Sequence, residues 1–435
     1  MNLKNKHVII LGAGKSGRDA AALAMREGAN VAVHDSCDSI TGITEGVQTV
    51  TQASHDTGTK SRCDLLVLSP GIDYETEFVR AYAANAGEVI GEVEFAYRFY
   101  TGQIVAITGT NGKTTTTELV ERIFNHAGIN CRACGNYGPT VSEMILMDNP
   151  PHVLALEVSS FQLETIRDFH PGVVVWLNFS PDHMDRYSTV DAYKKAKMRV
   201  FENLTPNDRV IVREGEDIGD QVAIVETFST EASADYTLSG TTIEFRSDPV
   251  LDLSRTRLRG LHNAENVMAA FAACSVLGVC ASTAEEALQD FAPPLHRCEL
   301  VRTLDGVEYI NDSKATNLHA LDSALRSQGR PIVLIAGGKQ KGLDYSNILK
   351  RVESTTKGIV VFGEIANEIA QTFEAISATA PCVAVTSLDE AVSVAANMAE
   401  FGDTILFSPG TSSFDMFSGY EERGDCFRRL THDLK

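Results

Sequence analysis

Two glycine-rich segments of this chain stand where phosphate could be held, and they differ in what they carry besides glycine. Gly12-Ala13-Gly14-Lys15-Ser16-Gly17 follows the apolar run HVIIL, and Gly109-Thr110-Asn111-Gly112-Lys113-Thr114-Thr115 follows QIVAIT and precedes TELVERIFNHAG. In both, a strand, a tight loop and a helix in that order aim backbone N–H groups and the positive end of a helix dipole at an anion. The second loop adds Lys113, able to reach the β- and γ-oxygens of a nucleoside triphosphate, and threonine hydroxyls able to ligate magnesium, with Thr114 the first choice. The strict phosphate-loop pattern wants glycine at position 107, where this chain has Ile107, so the match is a variant one. A glycine turn bearing a surface lysine is the plain alternative.

The first loop is less specific. With an alanine-rich helix behind it and the strand NVAVH ending at Asp35, it fits a dinucleotide fingerprint in which Asp35 accepts from a ribose hydroxyl. That pattern alone supports a nicotinamide or flavin oxidoreductase. Physically it specifies only a helix N-terminus facing a diphosphate, which a uridine diphosphate sugar offers as well as NAD does. The next strand, CDLLVLS, ends in Ser69-Pro70-Gly71, a turn that could complete one pocket with Gly14, Lys15 and Ser16.

The elements that must position these groups follow from patterning. Short β-branched runs alternate with helix-length amphipathic segments, which predicts an α/β fold with mostly parallel sheets. At 435 residues the chain is long enough for three domains, and new strand-loop-helix units restart after residues 88–100 and near Ala292-Pro293-Pro294. We expect a Rossmann-like domain at 1–92, a central P-loop ATPase-like domain at 93–293 and a Rossmann-like C-terminal domain at 294–435. A net charge of -20 argues against nucleic acid and anionic membranes, which are bound through surplus Lys and Arg. No apolar stretch reaches the about 20 residues that span a bilayer, and the nine scattered cysteines read as unpaired thiols of a reducing cytoplasm. A cytoplasmic monomer is expected.

In chain order, the variant GTNGKTT loop, LEVSSFQLE, NFSPDHMDRY, LHNAENVMAA, HRCE and NDSKATN closely resemble the motifs of the Mur ligases over nearly the whole chain. The C-terminal SSFDMFSGYEERGDCF looks like the branch that adds D-glutamate to UDP-N-acetylmuramoyl-L-alanine in peptidoglycan precursor synthesis. The resemblance implies ATP and magnesium as partners of the reaction, an acyl phosphate formed from the substrate carboxylate, and attack on it by the incoming amine. Such chemistry gathers phosphates and a carboxylate, so it calls for magnesium and fixed cations more than for a protein nucleophile.

Site residues follow from position and resemblance together. Glu157 ends the apolar run HVLAL, where a strand releases its side chain at the carboxyl edge of a sheet, and similar glutamates in the family bind magnesium; a solvated carboxylate is the other reading. The resemblance implies His183, in the loop with Asp182 and Asp185, as ligand of a second magnesium, Asn136 near the transferred phosphate, and Ser159 beside Glu157. It also implies that Lys197 is carbamylated, which requires a neutral amine and so a lowered pKa. Asn263 and Asn266 are i and i+3, so both amides could meet an adenine, as in the family, while helix capping by Asn263 stays open. From the C-terminal part, the resemblance draws Arg297, Asp312 and Lys314 to the nucleotide and Thr316, Lys341, Ser413, Phe414 and Tyr420 to D-glutamate. In GGKQKGLDY, Gln340 stands where relatives carry an acid and Lys339 adds a second cation, so which lysine meets the side chain is open. A sister ligase adding another amino acid and an NAD-dependent oxidoreductase are the alternatives. Amino-acid-dependent phosphate release separates the first, and nicotinamide binding the second.

Overall fold

The computed structural model describes every residue except 185, 259, 292–294, 343, 344, 377–379 and 435, so Asp185 and the Ala292-Pro293-Pro294 segment lie outside the described residues. The first sheet is built from β1 (His7–Leu11), β2 (Asn30–His34), β3 (Gln48–Val50), β4 (Cys63–Leu68) and β5 (Ala86–Gly91), ordered β3-β2-β1-β4-β5 and parallel throughout. Its strand order reverses between β1 and β4. Side chains of β1 and β4 are buried almost without break, as expected where helices cover both faces of a parallel sheet.

A second sheet contains β6 (Gln103–Thr108), β7 (Cys131–Gly135), β8 (Val153–Glu157), β9 (Val173–Trp176), β10 (Arg209–Arg213), β11 (Ile224–Ser229), β12 (Tyr236–Ser239), β13 (Thr242–Phe245) and β14 (Asp248–Asp252). The order is β14-β13-β12-β11-β10-β9-β6-β8-β7, antiparallel only at β12-β13 and β13-β14. These two sheets belong to one compact unit, Met1–Thr256 with Glu265–Asp290. One apolar cluster runs through it, taking Ile10 and Val67 from the first sheet and Ala106, Leu156 and Trp176 from the second. Between them, the fully buried carboxylate of Glu94 accepts from the backbone N–H groups of Arg167, Asp168 and Phe169 and from Arg98 at 2.8 Å. Three N–H donors and a guanidinium offset the desolvation that an isolated buried charge would suffer.

The third sheet, β15 (Glu299–Leu304), β16 (Val307–Asn311), β17 (Ile332–Gly337), β18 (Thr356–Phe362), β19 (Cys382–Ala384) and β20 (Thr404–Phe407), is ordered β15-β16-β20-β17-β18-β19, with only β15-β16 antiparallel. It lies in the other compact unit, Arg257–Ala264 with Phe291–Lys435. Its strand order reverses between β20 and β17, so the loops after those strands and after β16 gather at the carboxyl edge. All nine cysteines are free thiols, and no described helix is long and apolar enough to cross a membrane.

Candidate active site

At the reversal point of the first sheet, the two segments expected to share a pocket do meet. Ser69 donates from its backbone to Leu11 and from its hydroxyl to the Gly12 carbonyl at 3.4 Å. Gly12 has φ +97°, and a Cβ there would fall 2.7 Å from the Ser69 hydroxyl, so only glycine fits. Gly14 caps the helix Lys15–Arg26 and faces open space, as does Gly71, while the Lys15 ammonium spans 3.0 Å to Glu143. Asp35 serves the loop itself: its carboxylate accepts from Ala13 N–H at 2.6 Å and Cys37 N–H at 3.0 Å. Burial opposes its ionisation, but these backbone donors outweigh it and hold the acid below its usual range. A ribose hydroxyl would therefore have to share oxygens already in use.

The second loop is tied to the strand beside it. Backbone N–H groups of Thr110 and Asn111 donate to the Asn178 side chain just beyond β9, at 3.2 and 2.9 Å. Gly112 opens the helix Lys113–His126 at φ +85°, and a Cβ there would lie 2.6 Å from the Asn266 side-chain oxygen. The Lys113 ammonium folds onto the Gly109 and Thr110 carbonyls, 2.9 Å from each, a cradle whose carbonyls phosphate oxygens would replace. Thr114 Oγ1 donates to Glu157 Oε2 at 2.9 Å, and Asn136 Nδ2 donates to Glu157 Oε1 at 2.7 Å. Thr115 is buried beneath the loop.

Glu157, Thr114 and Asn136, far apart in the chain, thus form one cluster. Among the described residues no group of three His, Cys, Asp or Glu side chains could hold a metal by itself. One carboxylate and one hydroxyl nevertheless suit magnesium, which retains waters and takes much of its shell from substrate phosphates. Ser159 is used structurally, its hydroxyl capping the helix Ser160–Leu163 in a capping box with Gln162.

Lys197, on the helix Val190–Met198, is buried at 2% exposure and reaches Gly109 O at 3.1 Å and Thr108 Oγ1 at 3.4 Å. Burial first, and then the charge of Lys113, push its pKa well below the ordinary lysine value, against a smaller pull from Asp182 and Glu157. That is the direction of shift carbamylation requires. His183 lies on an exposed loop at φ +57°, its ring 5.0 Å from that of Phe161 and 5.8 Å from that of Tyr193.

Asn263 and Asn266 are both buried in the helix Leu261–Val276, which begins two residues before Asn263. The capping alternative for Asn263 therefore falls. In the C-terminal unit, Asp312 turns inward, accepting from Cys298 N–H at 3.2 Å and Ser408 Oγ at 2.8 Å; burial raises its pKa to about 7, with Arg297 close enough to offset part of that. The Lys314 ammonium sits 3.6 Å from the centre of the Tyr420 ring, joining two expected residues in a cation–π contact. Thr316 is half-buried on the same loop, and Ser413 is buried. Lys341 is exposed, whereas Lys339 and Phe414 line a groove at the carboxyl ends of β17, β18 and β19, with Glu364, Asp415 and Met416.

Two residues of this architecture carried no role in the sequence reading. Asn178 lies inside a quoted motif, but its hold on the phosphate loop is visible only once β6 and β9 are neighbours. Arg423, fully buried, donates from Nε and Nη2 to Ser313 and from Nη1 and Nη2 to the Thr411 carbonyl, at 2.8 to 3.1 Å. It fastens the loop after β16 to the loop after β20. Burial lowers even its guanidinium pKa to about 10, so this clamp is held against a real desolvation cost.

Family profiles match three stretches of the chain: a Mur ligase MurD-like N-terminal domain over residues 6–91, a Mur ligase middle domain over 107–274 and a Mur ligase glutamate ligase domain over 296–410. The UDP-N-acetylmuramoylalanine--D-glutamate ligase of Alkaliphilus metalliredigens is 36% identical, with 100% of each chain covered. That of Geobacter metallireducens is 37% identical over 100% of this chain and 99% of its own. Among solved structures, MurF ligase from Thermotoga maritima in complex with ADP superposes with a TM-score of 0.63 at 17% identity, covering 99% of this chain and 96% of its own. UDP-N-acetylmuramate-alanine ligase MurC from the same organism gives 0.61 at 18%, covering 99% and 100%, and both are likenesses of fold.

Proposed function

The chain belongs to the Mur ligase family, and from that premise we propose that it joins D-glutamate to UDP-N-acetylmuramoyl-L-alanine at the expense of ATP, a step of peptidoglycan precursor synthesis. The substrate carboxylate attacks the γ-phosphorus of ATP, giving an acyl phosphate and ADP. The amine of D-glutamate then attacks the acyl carbon, and the tetrahedral intermediate expels phosphate to leave the amide.

The observation that carries this reading is the joining of Thr114, Asn136 and Glu157 beside a lysine-bearing phosphate loop. Lys113 exchanges its loop carbonyls for β- and γ-phosphate oxygens and stabilises charge spreading onto the transferred group. Thr114 and Glu157 would hold magnesium, which would supply Lewis acidity to the phosphoryl transfer. A carbamylated Lys197 would add an anionic head beside them, and His183 would serve as ligand for a second ion. Asn263 and Asn266 take adenine, with Arg297, Asp312 and Lys314 on the phosphates and ribose. Thr316, Lys341, Ser413, Phe414 and Tyr420 receive the amino acid, and Gly14, Lys15, Ser16, Asp35 and Ser69-Pro70-Gly71 the uridine diphosphate. Domains at 1–92, 93–293 and 294–435, acting in a cytoplasmic monomer, complete the reading.

ADP release with ATP, UDP-N-acetylmuramoyl-L-alanine and a panel of amino acids tests it. Turnover should require the D-isomer of glutamate. Release driven equally by L-glutamate or by another amino acid would replace this reading with that of a sister ligase.

A further inference from the structure

Arg186 takes no part in the mechanism above, yet its side chain is only 14% exposed and three groups converge on it. Its Nη2 lies 2.6 Å from Glu164 Oε2, its guanidinium carbon sits 4.4 Å from the centre of the Phe161 ring, and its Nε is 4.0 Å from Asp73. Glu164 is bridged, since its other oxygen accepts from the Tyr187 hydroxyl. Arg186 and Tyr187 also both donate from their backbones to the His183 carbonyl. The segment around His183 is thus pinned at two ends, by Ser180 N–H on the Thr110 hydroxyl and by this bracket on Glu164. Between the pins His183 adopts a left-handed backbone conformation, which a non-glycine residue keeps only where its surroundings enforce it.

Asp73 belongs to the turn that follows β4, next in the chain to Ile72, which with Ser69, Pro70, Phe161 and Glu164 lines one small crevice. Arg186 is therefore in contact with two residues that line the crevice, Phe161 and Glu164, and with Asp73 in the turn beside it. Phe161 in turn packs on His183, which packs on Tyr193, whose ring lies 5.1 Å from the Lys197 ammonium.

We propose that Arg186 is a positioning residue: it holds His183 in place through the Glu164 bracket, and through Asp73 it couples that position to the turn after β4, which the proposed function gives to the UDP-linked substrate. This inference rests on the function proposed above for the importance of His183 and the identity of the substrate, but its first measurement does not. A planar fork is needed, because one edge pairs with Glu164 while the face stacks on Phe161.

The test uses the full chain carrying Arg186→Met, Arg186→Lys, Glu164→Gln or Asp73→Asn. The His183 ring-proton resonance, assigned by its loss in His183→Gln, should be displaced by the Phe161 and Tyr193 rings in the unaltered protein. In Arg186→Met it should move toward that of a solvent-exposed histidine, with kcat falling at least tenfold and the KM for ATP changing less than twofold. Arg186→Lys should recover only part of both. Asp73→Asn should raise the KM for the UDP substrate severalfold and leave that for ATP alone. An unmoved His183 resonance in Arg186→Met overturns the proposal whatever happens to turnover, and Glu164→Gln provides the same readout if that variant does not fold. An unchanged UDP-substrate KM in Asp73→Asn overturns the coupling. Inactivity of the unaltered protein on the UDP substrate would instead sink the functional reading.

Discussion

The phosphate loop of the second sheet and the loops at the carboxyl edge of the third solve opposite problems. Around residues 109–115, backbone N–H groups rest on Asn178, the lysine on its own loop carbonyls, and Thr114 and Asn136 on a 3% exposed Glu157. At the third sheet, Lys339 and Lys341 are exposed and Phe414 is 65% exposed, while the backbone beneath is fastened by the buried Arg423. On the proposed function, phosphoryl transfer calls for dipoles fixed before the reaction, whereas the amino acid proposed to bind at the third sheet must enter and leave. Loops after parallel strands are thus fastened at their tips in one unit and at their base in the other.

If that contrast is right, the largest losses come from the fixed site. Lys197→Ala should remove activity without unfolding the chain, and formate or acetate should partly restore it in a manner that depends on acid size, because a carbamate head leaves a carboxylate-shaped space. Full activity of this variant in carbon-dioxide-depleted buffer would reduce Lys197 to a packing residue. Next, Lys113→Ala should lower turnover about a hundredfold, the scale of losing one group that stabilises transition-state charge. Near-normal ADP release from the folded variant would remove the phosphate-loop reading.

Intermediate effects belong to the clamp. Arg423→Met leaves the Thr411 and Ser313 carbonyls short of donors, costing about 2 kcal/mol of stability by denaturant unfolding, and should raise the KM for D-glutamate while leaving binding of the UDP substrate by calorimetry unchanged. Equal losses at both substrates would make it a global folding residue. The smallest effects should come from the exposed cations: Lys341→Ala should raise the D-glutamate KM about tenfold, equivalent to ~1.4 kcal/mol, and Lys339→Ala much less. The reverse ranking would assign the side-chain carboxylate to the lysine that lines the groove.

Sequence alone determined the strands HVIIL, QIVAIT and CDLLVL, the α/β class, the family and the strand-loop-helix order around Lys113, because each is written in residues close together in the chain: apolar runs, glycines where the backbone must turn, a lysine and threonine next to them. It also placed Glu157 at a strand end, where topology does deliver side chains to the crevice. What it left undecided depends on groups that meet only when strands take their places in a sheet. Asn178 reaches Asn111 across 67 positions and Arg423 reaches Ser313 across 110, and no periodicity records either contact. Asp35 and Asp312, both expected to face ligand, accept from backbone and hydroxyl donors of the fold, since a carboxylate near unpaired N–H groups lowers its energy by pairing with them. Local sequence fixed which chemistry is available; the packing of strands and loops decided which side chains are free to perform it and which hold the others still.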